Sequence, residues 1–595
     1  MTLENKLSDL NDVKLRNRAV RAAQSQEPFD VLIINGEIVD MVTGQLREAD
    51  IGFVGPLIAS VHPRSTRSDA GQVIDASGLM ISPGLIDMHM HIESSMITPS
   101  AYCEQVLPRG VTTIVWDPHE YGNTCGMDGV NYATDAAKKC AVKVITLAPS
   151  CVPSAPGFET TGGDFTPAIV EKLLSKPEIH GVAEVMSMQA VLDRDDRMSG
   201  IIQAGLESGK RICGHARGLS GSSLNAYVTA GVETDHELTS AADLLEKLQA
   251  GLTIELRGSH DHLLPQFVDA LNQLGHLPQT ITLCTDDVFI DDLVNFGGLD
   301  DVVRRLVKYG MPPIWALQAA TFNAANRLGR SDLGLIAPGK RADLVLFDDL
   351  DNFKAIRVLV NGVPIEKDAS QPIAVPPPMK KTMAIKPLKI SDFQVAANGE
   401  NVTISTIENP RFTKWGKRIV KTKNGCVVPP KDATLMAIVN RFGADSGAKL
   451  AFLINWGKWD GAFATTVSHD SHNLTVFGGN EEDLALAANT VIEMGGGLAV
   501  VSKGQVLAQL ALPIAGLVTE KATELVAEEF KDIRAAMDKI VTWNPPYLVF
   551  KACFGASLVC NSGPHLSDLG IVDTVNDIIL VDPSAQLEPK EKLDL

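Results

Sequence analysis

The chain has 595 residues, 45% hydrophobic and 21% charged, a globular composition long enough for about three domains. Its 53 basic and 72 acidic residues leave a net charge of −19, which argues against nucleic acid or an anionic membrane as a partner and favours a small neutral or weakly basic molecule. Nine scattered cysteines with no Cys-x-x-Cys pair argue against a disulfide framework and a thiolate zinc site, and the lack of an apolar leader or of any apolar run of about eighteen residues makes a cytoplasmic location the expectation.

In chain order, residues 1–28 read as a polar, partly helical leader. Short strands separated by turns follow at 30–40, 49–54 and 72–76, the pattern of a small β-sandwich. From Leu79 strands alternate with helical segments such as 166–175 and 240–249. Eight strand candidates, at 79–91, 112–118, 142–149, 179–186, 211–216, 233–237, 252–259 and 280–287, predict a (β/α)8 barrel over 79–334. Strand character returns at 332–346, and 354–365 reads as a hairpin turning at Asn361-Gly362, so 335–369 is expected to complete the sandwich begun by 29–78. A Pro-rich linker, 370–385, leads to a separate α+β domain, 386–595. The expected fold class is α/β: a TIM-type barrel with a small β-sandwich built from segments on both sides of it and an additional C-terminal domain.

Functional groups of a parallel barrel gather at the C-terminal ends of its strands. The first candidate strand ends in Asp87-Met88-His89-Met90-His91, and the alternation of a strand puts His89 and His91 on one face, where they can share an ion. Alone, such a pair reads equally as two buried, hydrogen-bonded histidines. Four more strands carry a ligand type at the same end: Glu184, His215, His236 (within Asp235-His236-Glu237) and Asp286 (within Cys284-Thr285-Asp286-Asp287). Four histidines and two carboxylates suit two divalent ions, with Glu184 able to bridge them through its two oxygens. Such donors fit manganese, iron or zinc without choosing among them.

These motifs resemble the amidohydrolase superfamily, through Pro83-Gly-Leu-Ile-Asp-Met-His-Met-His91 and Leu335-Ile-Ala-Pro-Gly-Lys-Arg-Ala-Asp-Leu-Val345. Within it the chain is most similar to the bacterial adenine deaminase family. That likeness rests on His91-Ile-Glu-Ser-Ser-Met96, Asp117-Pro-His-Glu120, Gly214-His-Ala-Arg-Gly-Leu-Ser-Gly221 and Cys284-Thr-Asp-Asp287. In the C-terminal domain it rests on Ser468-His-Asp-Ser-His-Asn473, Asn480-Glu-Glu-Asp-Leu-Ala485 and Leu512-Pro-Ile-Ala-Gly516. The strand 7 exit, Arg257-Gly-Ser-His-Asp-His262, is richer in histidine than the family pattern.

The resemblance implies hydrolysis of adenine to hypoxanthine and ammonia by a hydroxide bridging two divalent ions and attacking C6. Asp286 would bind one ion and shuttle the proton. N1 needs a proton donor, for which Glu120 is favoured over Glu93, Asp117 and Glu237. Asp117 and Glu237 read equally well as acids that orient ligand histidines, with His119 beside them. Arg217 is expected to pair with a surface acid rather than touch substrate. The run holding His469 and His472 reads as a structural loop, with a site at a domain contact as the alternative. A homo-oligomer, a dimer or larger, is expected. One rival reading keeps the metal centre and cleaves an N-acyl or cyclic amide bond. A scaffold protein without turnover is a poor reading, since all six ligand types are present.

Overall fold

Eight apolar, β-prone runs bounded by turn residues form the centre of the protein, a computed structural model describing residues 10–366, 369–444, 447–543 and 548–585. The first nine residues of the expected leader and 586–595 of the expected C-terminal domain lie outside the described residues. The runs become parallel strands β1 (Leu85–Met90), β2 (Val111–Trp116), β3 (Lys143–Ala148), β4 (Ile179–Val185), β5 (Arg211–Gly214), β6 (Thr234–Asp235), β7 (Thr253–Arg257) and β8 (Ile281–Cys284). Strands such as β1, β2 and β8 are buried at every position, as a parallel sheet covered by helices requires. The ladders run β1 to β5 and β6 to β8. One seam closes where Asp286 N donates to His89 O at 3.0 Å, the other where Glu233 N donates to Ile212 O at 3.1 Å.

Two strands differ from expectation. The candidate at 79–91 is two strands, because Met80–Pro83 pairs with Leu344–Phe347 and Glu37–Asp40 in the small domain. The break falls at Gly84, where a Cβ would lie 2.1 Å from Thr112 Oγ1, so the chain crosses into the barrel at a point that admits only glycine. The sixth strand is shorter than 233–237, since after Asp235 the backbone leaves the ladder. The carboxylate of Asp235 takes over, its Oδ1 accepting from Ala216 N at 2.6 Å and Glu237 N at 3.2 Å.

The small domain packs a four-stranded sheet (29–75) on a six-stranded one that draws strands from both sides of the barrel sequence. Ile33, Ile51, Phe53, Ile81, Leu344 and Leu359 fill the space between. Its hairpin, Ala355–Val360 with Val363–Pro364, turns through Asn361 and Gly362 at φ 53° and 78°, the left-handed pair a two-residue turn needs.

Beyond the proline-rich segment, strands between Asn401 and Ala511 form a nine-stranded sheet. Helix Glu481–Glu493, capped by the Asn480 side chain accepting from Asp483 N, covers one face. Helix Thr523–Ile540 covers the other, burying Val526, Phe530, Ile533 and Met537 at helical spacing. On that second face Met436, Phe463 and Val500 join one continuous core with the barrel residues Trp116, Phe289 and Leu293. The C-terminal domain is thereby packed against the mouth of the barrel.

Candidate metal centre and cavity

Alternation along β1 and the strand ends β4, β5, β6 and β8 bring His89, His91, Glu184, His215, His236 and Asp286 together, each at most 4% exposed. Glu184 lies between two groups. Its Oε1 is 3.6 Å from His89 Nε2 and 3.4 Å from His91 Nε2, while its Oε2 is 2.7 Å from His215 Nδ1 and 3.3 Å from His236 Nε2. Asp286 Oδ1 adds to the first group, 3.5 Å from His89 Nε2 and 3.3 Å from His91 Nε2. The positive φ of Asp286, 57°, turns its carboxylate off the end of β8 towards them. His91 is oriented by its Nδ1, which donates to Asp117 O at 3.0 Å and leaves Nε2 facing inward.

The donor set fits divalent ions. Two atoms each about 2.1 Å from one ion at a tetrahedral angle stand roughly 3.4 Å apart, the spacing found among these groups. Both nitrogens of His89 make no hydrogen bond although buried, an arrangement whose cost an ion would remove. Burial, then the charge of His236, pushes His89 down to about 4, leaving it the neutral imidazole that ligation requires. Burial would raise Glu184, but the charge of His236 and the hydrogen bond from His215 hold it well below the usual carboxylate range.

Around this cluster Asp117 accepts from His119 N at 3.0 Å and stands 2.8 Å from His119 Nδ1, so it orients His119. Glu93 accepts from Trp116 Nε1 at 2.8 Å, and burial and the nearby Glu120 push it up to about 7. The buried Lys247 donates to Asp235 Oδ2 at 2.9 Å and so braces the segments carrying His215 and His236. Arg257, at the end of β7, pairs with both Glu237 and Asp286. Its position at a strand end was the available signal for it, one the richer histidines of that exit obscured.

A cavity of about 140 Å³ opens over the cluster, with Glu237, Arg257 and Asp287 of the barrel on its wall beside Arg411, His469 and Lys551 of the C-terminal domain. Arg217 is not a surface residue: its side chain is 13% exposed, lines this cavity and reaches Glu237 Oε2 at 3.3 Å. The loop of His469 and His472, expected as a structural loop, lies where the C-terminal domain meets the barrel and reaches both the cavity and Glu120. His469 faces the cavity with Nδ1 2.8 Å from Glu120 Oε1, and His472 contacts the other oxygen of Glu120. Glu120 therefore points at this loop and is not on the cavity wall, whereas Glu237 is.

Residues 80–365 match the amidohydrolase family and 410–577 the adenine deaminase C-terminal domain. Adenine deaminase 2 of Agrobacterium fabrum is 59% identical over 581 residues, 97% of each chain. The chain belongs to the adenine deaminase family of amidohydrolases. Within that family, adenine deaminase 2 of Rhizobium meliloti is 58% identical over 98% of this chain and 99% of its own. The adenine deaminase of Klebsiella pneumoniae is 48% identical over 95% of each. Membership makes the chain a hydrolase and implies bound divalent metal. The (β/α)8 barrel, the sandwich drawn from both its flanks and the sheet-rich C-terminal domain agree with the fold expected from sequence. No helix among the described residues is long and apolar enough to cross a membrane.

Proposed function

We propose that this protein hydrolyses adenine to hypoxanthine and ammonia. The observation that carries the reading is the near full-length match to adenine deaminases across both the barrel and the C-terminal domain that walls the cavity. The barrel ends on which the reaction depends supply a hydrolytic ligand set: His89, His91 and Asp286 would hold one divalent ion, His215 and His236 a second, with Glu184 offering one oxygen to each. Manganese, iron and zinc all suit these donors. Bound there, such ions supply the Lewis acidity that lets water act as a nucleophile near neutral pH.

The protein's own groups handle the protons. Water adds at C6, and Asp286, on the cavity wall, accepts the proton it releases and passes it to the departing amine as the C6–N bond breaks. Charge builds on N1 as the ring loses aromaticity and is met by a proton delivered there; as C6=O forms, the C6 hydroxyl releases its remaining proton, which replaces the one given to N1, and hypoxanthine is complete. Glu237 is the better placed donor, lying on the wall beside His236 and positioned by Arg217 and Arg257, while Glu120 is turned towards His469 and His472. Burial of Glu237, Asp286 and the histidines around them lowers the local dielectric, which strengthens each of these contacts. The cavity takes a neutral small molecule, in keeping with a net charge of −19 that repels polyanions.

The test strips the enzyme of metal, reloads it separately with manganese, iron and zinc, and follows ammonia release and loss of adenine absorbance. Turnover requiring about two ions per chain and falling by about 10³-fold in Asp286→Asn is expected. Bound ions without adenine turnover would move the substrate to the N-acyl or cyclic amides. Failure to bind ions beside Glu184 would overturn the reading.

A further inference from the structure

A second group of ligand atoms lies outside the Glu184 cluster. Glu120 stands in the first turn of the helix that leaves β2, and His469 and His472 come from the loop between strands Ala462–Thr465 and Leu474–Gly478 of the C-terminal domain. One donor atom from each of the three falls within 4.8 Å of the others. Glu120 and His472 are 1% exposed. Neither oxygen of Glu120, nor His472 Nε2, makes a hydrogen bond of acceptable geometry, although His469 Nδ1 is 2.8 Å from Glu120 Oε1 and His472 Nε2 touches Glu120 Oε2. A buried carboxylate that converges on two imidazoles without aligned hydrogen bonds is costly as it stands.

The surroundings orient these atoms as ligands are oriented. His472 Nδ1 accepts from Ser468 N at 3.2 Å and lies 3.2 Å from Thr466 O, backbone contacts that turn the opposite nitrogen, Nε2, onto Glu120. Its own carbonyl is fixed by Arg441 Nη1, which donates to it at 2.9 Å. A fourth donor is at hand: both oxygens of the buried Asp470 lack hydrogen-bond partners, and Oδ1 is 3.9 Å from His469 Nδ1 and from His119 Nε2.

We infer that Glu120, His469 and His472, with Asp470 beside them, form a separate site for a divalent transition-metal ion that ties the C-terminal domain to the barrel. Two imidazoles and carboxylate oxygens are the donor set of zinc, iron or manganese, and poor for calcium or magnesium. Because His469 also reaches towards Asp287, with Nε2 3.7 Å from Oδ2, an ion here would hold one wall of the cavity in place. The inference does not depend on the pair of ions beside Glu184.

The test counts metal in the full-length protein, equilibrated with zinc and freed of loosely held ions, and locates it by anomalous diffraction at the zinc edge. The expected result is about three ions per chain, a peak between Glu120 and His472 distinct from those beside Glu184, and loss of that peak with about one ion fewer in His472→Gln. If the variant fails to fold, the wild-type map decides alone. A peak at Glu120 supports the site whether or not the ions beside Glu184 are present. Peaks beside Glu184 with none at Glu120 overturn it, leaving a histidine–glutamate ion pair and the binuclear reading intact.

Discussion

Lys247→Met is the perturbation that best separates a braced metal centre from a loosely assembled one. The side chain of Lys247 is fully buried, with Nζ 2.9 Å from Asp235 Oδ2, 3.2 Å from Asp243 Oδ2 and 3.4 Å from Glu237 O. Methionine keeps the stem and removes the charge, leaving Asp235 ionised in the interior. Breaking a buried pair in this way costs about 3–5 kcal/mol. Asp235 Oδ1 keeps two backbone donors, Ala216 N and Glu237 N, so the lower end, about 3 kcal/mol, is expected. At about 2 °C per kcal/mol for a large domain, the melting temperature falls by roughly 6 °C.

The cost depends on pH with a definite sign. Burial works against the charge of Asp235, but Lys247 and the nearby His236 hold its folded value below the usual carboxylate range. The wild-type pair therefore contributes stability above the unfolded value of about 4, lost as pH falls through the lower folded one. In Lys247→Met burial raises Asp235, which then protonates readily, so the deficit should be full at about pH 7 and shrink towards about pH 4. Calorimetry and denaturant titration measure both, and Asp235→Asn added to Lys247→Met should restore part of the loss. A single variant within about 0.5 kcal/mol of wild type, or a double variant less stable than the single, would refute the reasoning.

Glu237→Gln should lower kcat for adenine by about 10²-fold or more while leaving the bound metal unchanged, as steady-state kinetics and elemental analysis would report; an unchanged kcat returns the N1 role to another acid. Burial and the charge of Arg257 push Lys551 down to about 7, so between that value and its unfolded value of about 10.4 only the unfolded chain binds the proton and stability rises with pH. Lys551→Met should remove on the order of 1 kcal/mol of the gain between about pH 7 and pH 9, measured by urea titration, and an undiminished gain would rule out this lysine as its source. Gly84→Ala, whose Cβ would meet Thr112 Oγ1 at 2.1 Å, should destabilise by about 1–3 kcal/mol; a thermal melt matching wild type would show that the crossing into the barrel has room to spare.

The parts governed by local periodicity were legible along the chain. Alternating strand and helix patterns located eight barrel strands, and the strand ends named His89, His91, Glu184, His215, His236 and Asp286, because in a parallel barrel the end of a strand has one destination. The sequence did not place Met80–Pro83 in the sandwich, since an apolar run looks the same whichever sheet receives it and only pairing with Leu344–Phe347 decides. Nor did it reveal which acids face the cavity. Glu120 and Glu237 both follow barrel strands, yet the first meets His469 and His472 while the second meets Arg217 and Arg257. That choice, like the presence of Arg411 and Lys551 on the wall, was decided by the tertiary structure. It depends on how the C-terminal sheet packs across the barrel mouth, and contacts between residues so far apart along the chain leave no periodic trace in either segment.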